Sequence, residues 1–116
     1  MRQLLVALAF AAAPALALTP EAKEFIEITR KLEPVQCEKR KLRYAIALAE
    51  AQDREAEAKA AREKFEALNR DRETARLEKR LAELERRISD GRGGVRDPED
   101  LEAISRQRRE AYYRCE

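Results

Sequence analysis

Histidine and tryptophan are absent from this 116-residue chain, and cysteine occurs only twice. Without histidine, a serine or cysteine nucleophile has no imidazole base, which excludes that form of hydrolase chemistry. The two cysteines, Cys37 and Cys115, stand alone near opposite ends of the chain. A zinc module needs paired ligands at short spacing, so carboxylates would have to complete any site here. No Cys-x-x-Cys redox motif is present either. Lys39, Arg40 and Lys41 beside Cys37 would lower a thiol pKa, but the isolated spacing reads as a structural disulfide. Charge of one sign is also missing. Lysine and arginine total 25 against 23 acidic residues, for a net charge of +2. That balance argues against the one-signed basic face used to bind nucleic acid.

Glycine is confined to Gly91, Gly93 and Gly94. No strand precedes this cluster and no Gly-Lys-Ser/Thr follows it, so it is a turn and not a phosphate loop. Carboxylates are plentiful, but they alternate with Lys and Arg at helical spacing, as in Glu83 and Arg87. Such pairs are solvated helix-face ion pairs more readily than an acid–base site. The sequence therefore carries no candidate catalytic, cofactor-binding or metal-ligating residue, and the chain is not expected to be an enzyme.

What is present begins at the first residues. Met1-Arg2-Gln3 is a short basic start, Leu4 to Ala13 an apolar run, and Ala15-Leu16-Ala17 a small-x-small motif. This is the pattern of a secretory signal peptide cut after Ala17. The competing reading is a membrane anchor, but the run is short for ~30 Å of hydrocarbon. Leu18, where a lipoprotein needs cysteine, argues against a lipoprotein. The expected address is the periplasm, with secretion as the alternative. There Cys37 and Cys115 would be oxidised.

Residues 18–116 read as a single all-α domain dominated by Ala, Glu, Lys, Arg and Leu. That is the composition of long helices and coiled coils. Thr19-Pro20 starts a helix over 20–33, with Phe25, Ile28 and Leu32 as its apolar stripe, and Pro34 is expected to end or kink it. Residues 35–89 contain no proline and no glycine. They form either one long helix or two joined near 51–55, where Asp53 would cap the second. Asp97-Pro98 starts a last helix over 98–115, with Leu101, Ile104, Ala111 and Cys115 sharing a face.

Two architectures follow. Unbroken, the long helix holds Cys37 tens of ångströms from Cys115, so a disulfide would join two chains in an elongated antiparallel homodimer. Folded back near Asp53, the chain becomes an antiparallel hairpin or a small three- to four-helix coiled-coil-like bundle. Leu42 then faces Phe65, Ile46 faces Ala61, Ala49 faces Ala58, and an internal Cys37–Cys115 bond is possible. One feature opposes it: Ala58, Ala61, Phe65 and Leu68 lie on one face, whereas Leu77, Leu81, Leu84 and Ile88 lie nearly opposite. A stutter in the polar stretch Arg70 to Glu73 would reconcile them. So would a bend at Pro34 that lets the first helix join the second half as a third helix.

Two basic, tyrosine-bearing clusters are the candidate recognition residues: Lys39, Arg40, Lys41 and Tyr44 beside Cys37, and Arg106, Arg108, Arg109, Tyr112 and Tyr113 before Cys115. Arg and Tyr carry much of the energy of interfaces. A disulfide would merge the clusters into one patch suited to an anionic surface or an envelope protein. The expected function is an exported helical binding or chaperone-like protein. The alternative is a coiled-coil spacer acting as a homodimer.

Overall fold

The structure is a computed structural model that describes residues 17–116, so the leader motif lies almost wholly outside the described residues. Four helices follow in order: α1 (Pro20–Ala51), α2 (Glu55–Arg70), α3 (Arg72–Ile88) and α4 (Pro98–Arg114). Among the described residues no helix is long and apolar enough to cross a membrane.

α1 is the spine. Thr19 caps it, its hydroxyl accepting from the Ala22 N–H at 3.2 Å, and Pro20 occupies the first turn. The helix does not end at Pro34; it continues past it to Ala51. An interior proline costs about 3 kcal/mol in an isolated helix because one N–H is lost and the ring crowds the preceding turn. Here α1 is tied to α4 on both sides of the proline, through Glu33 and through Cys37. Those ties hold the axis across the break in its hydrogen-bond ladder.

The long stretch after Pro34 is broken twice. At the first break Gln52 ends α1 and Asp53 takes a left-handed φ of 55°. The Asp53 N–H donates to the Glu50 carbonyl at 3.2 Å and the Arg54 N–H to the Ala49 carbonyl at 2.8 Å. This crossed pair is a Schellman closure, in which the left-handed position is usually glycine. Asp53 is thus the residue that closes α1. It does not cap α2, whose N-cap is Arg54 with no side-chain hydrogen bond.

The second break is at Asp71. Its carboxylate accepts from both the N–H and the hydroxyl of Thr74, each at 3.0 Å, and so caps α3. Hydrogen bonds from the Thr74 backbone and then its side chain hold the Asp71 carboxyl below its ordinary value. Because α2 and α3 are separate helices, their apolar stripes need not share a face. Each turns its own stripe towards α1.

Two packing zones result. At the distal end, α2 folds back on the second half of α1 along a seam in which Leu42, Ala49, Ala58 and Ala61 are buried. Small side chains allow the two backbones to approach closely. At the proximal end, α1, α3 and α4 surround one core of Phe25, Ile28, Leu32, Leu77, Leu84, Ile88 and Ile104. The α3–α4 turn is closed by a short antiparallel bridge between Ser89 and Val95, with Gly91 and Gly93 at positive φ.

The left-handed position at Asp53 gives a direct stability test by urea denaturation. Asp53→Val is expected to lower stability by about 1 kcal/mol or more, since a branched side chain tolerates that conformation poorly. Asp53→Gly is expected to match or slightly exceed the parent. A valine variant as stable as the parent would contradict this closure.

Candidate binding surface beside the disulfide

α4 lies parallel to α1 in constant register. The Asp100 carboxylate accepts from the Thr19 N–H at 3.0 Å and from the Thr19 hydroxyl at 2.7 Å. Gln107 Nε2 donates to the Ile26 carbonyl at 3.1 Å. Arg114 donates twice to the Glu33 carboxylate, at 2.7 and 3.0 Å. All three pairs are separated by 81 residues, and successive pairs are two helical turns apart. A repeat of seven keeps the same faces of two helices in contact. Cys115, the C-cap of α4, then reaches one turn further along α1 and bonds Cys37, with Cα atoms 5.5 Å apart. The bond is internal to one chain.

These partners rotate α4 relative to the expectation from its apolar residues. Asp100, Ile104 and Gln107 are the buried positions, whereas Leu101 is exposed. Asp100 is 1% exposed and serves the first turns of both α1 and α4, where a carboxylate suits both helix dipoles. The Arg114 hydrogen bonds hold the Glu33 carboxyl below its ordinary value and raise the pKa of Arg114. Glu24 is lowered likewise by its hydrogen bonds from Arg80 on α3, which ties α3 to α1.

The disulfide brings parts of the two basic clusters together. The Arg40 guanidinium lies 4.9 Å from the centre of the Tyr112 ring. Arg40, Lys41, Tyr44, Tyr112 and Glu116 border one hollow of about 380 Å³ beside Cys115. Tyr44 is 70% exposed and Tyr112 is 59% exposed. One turn back along α4, the Arg108 guanidinium lies 6.0 Å from the Phe25 ring. Among the described residues, no carboxylate forms an ion pair with Arg40, Lys41 or Arg108.

The other candidates go elsewhere. Lys39 is only 5% exposed, so it is not part of a surface patch. Its Nζ donates to Glu78 at 2.7 Å and lies 5.8 Å from the Phe65 ring, at the junction of α1, α2 and α3. Gln36 donates to the same Glu78 oxygen at 3.2 Å. One helical residue is 100° of rotation, which is enough to send Lys39 inward and Arg40 outward. Arg106, Arg109 and Tyr113 lie on the side of α4 turned away from α1. Arg106 is paired with Glu102 at 2.9 Å. The surface that converges is therefore Arg40, Lys41, Tyr44 and Tyr112, while Arg108 lies further along α1 beside Phe25.

Sequence reasoning missed Thr19–Asp100 and Gln107 as structural partners. The signal was available: residues 19, 26 and 33 and residues 100, 107 and 114 form two matching heptad series.

Closing a loop of 78 residues, the disulfide restricts the unfolded chain strongly. The Cys37→Ser/Cys115→Ser double variant is expected to lose on the order of 2–4 kcal/mol in denaturant titration. Unchanged stability would mean that the bond carries no load in the fold. Compared with known proteins, the chain matches no family model, no curated protein and no solved structure.

Proposed function

We propose that this chain is a small exported helical binding protein of the cell envelope, with no catalytic centre, that holds an anionic partner on the face beside the disulfide. One observation carries the reading: Arg40 and Lys41 converge with Tyr44 and Tyr112 across the Cys37–Cys115 bond, and among the described residues neither cation forms an ion pair with a carboxylate. Unneutralised guanidinium groups held over aromatic rings are positioned before a partner arrives, which reduces the ordering cost of binding. Export is supported by the leader motif at residues 1–17 and by a disulfide of the kind that persists in oxidising compartments.

The spacer alternative, an elongated homodimer, is less favoured, although the molecule is itself elongated at 84 × 30 × 27 Å. Its antiparallel dimer rests on an unbroken helix over 35–89 and a disulfide between two chains. The stretch is divided at Gln52–Arg54 and at Asp71, and the disulfide closes within one chain.

The test is co-sedimentation with vesicles of phosphatidylglycerol and phosphatidylcholine against pure phosphatidylcholine, together with retention on immobilised polyglutamate. The expected result is binding to at least one anionic material, weakened by added salt. Arg40→Glu/Lys41→Glu is expected to abolish it, while Arg106→Glu/Arg109→Glu leaves it nearly unchanged. Absence of binding to either material, or equal loss in both variants, would contradict the proposal.

A further inference from the structure

Between α3 and α4, with α1 as its floor, runs a trough of about 500 Å³. Phe25, Leu32 and Cys37 of α1, Leu81 of α3 and Ala111 of α4 supply its apolar lining, interspersed on α1 with Thr29, Gln36 and Glu33, whose carboxylate is paired with Arg114. It exists because α4 is fastened to α1 while only Ile104 of α4 enters the core shared with α3. Along α1 the trough extends from Phe25 to Arg40, which is roughly 22 Å at ~1.5 Å per residue. Arg40 also borders the hollow that holds Lys41, Tyr44 and Glu116, so this end of the trough carries two cations and one carboxylate. At the other end the Arg108 guanidinium lies over the Phe25 ring, a further cation on the trough.

Building on the function proposed above, we infer that this trough binds a long-chain fatty carboxylate, with its head at Arg40 and its alkyl tail along Cys37, Leu32, Leu81 and Ala111 towards Phe25. Shape and polarity select this occupant. A trough of that length and volume suits a slender, flexible chain. An extended peptide would bring one N–H and one C=O per residue into the trough. The walls are helices whose backbone groups are already bonded within each helix, so those peptide groups would go unpaired at a cost. An alkyl chain has no such groups and gains from each methylene removed from water. The unneutralised Arg40 supplies a planar pair of donors matched to a carboxylate.

Isothermal titration of the oxidised protein with dodecanoate, below its micelle concentration, tests this. The expected result is one bound molecule per chain, with butanoate failing to bind. Arg40→Gln is expected to weaken dodecanoate by about tenfold or more while leaving dodecanol binding nearly unchanged. Ala111→Phe, which fills the trough, is expected to abolish binding of both; Thr29→Phe does the same from the α1 side if the α4 variant fails to fold. A folded protein that binds anionic vesicles or polyglutamate but not dodecanoate would overturn the trough assignment and leave the proposed function standing. Dodecanoate binding that survives both trough-filling variants, or that Arg40→Gln does not weaken, would overturn it as well.

Discussion

The clamp of α4 along α1 is the constraint on which the rest of this structure depends. A chain so rich in charge has little apolar surface to bury, and its core amounts to one layer of Phe, Ile and Leu at the proximal end. Chain entropy opposes even that layer. The clamp offsets it by fastening the last helix at regular intervals. The Thr19–Asp100 bonds hold one end, Gln107 and the Arg114–Glu33 pair follow at two-turn steps, and the disulfide locks the other end. With α4 fixed in register, Ile104 is delivered between α1 and α3, and the core closes.

The same clamp generates the candidate surface. Residues 40 and 112 are far apart in sequence, yet a cation–ring contact joins them because Cys37 and Cys115 lie next to them on the same faces. Because α4 is tied to α1 and not to α3, a trough remains between α3 and α4. The Lys39–Glu78 pair does a different task at the middle of the molecule. It sits where α2 ends and α3 begins, and fixes both to the spine through a single buried ammonium.

The all-α fold class and the disulfide were legible from composition, the missing histidine and the cysteine count. Apolar pairing also made a fold-back near Asp53 preferable to an unbroken helix. The details that failed share one cause: polar side chains with specific backbone partners override apolar periodicity. Pro34 is tolerated because tertiary ties flank it, which no local rule can show. Asp53 replaces the glycine expected at a Schellman position, so the break carried no glycine signal. Asp100 and Gln107 turned α4 away from its Leu101 face because each finds a partner on α1. Within the candidate cluster, sequence proximity grouped Lys39 with Arg40, and helical rotation separated them.

The most direct test of this account is the intact mass of the oxidised protein without reductant, followed by peptide mapping. The account predicts a monomer lacking two hydrogens, in which the Cys37 and Cys115 peptides are joined. Free thiols that accept alkylation, or a covalent dimer, would contradict the parallel clamp of α4 on α1.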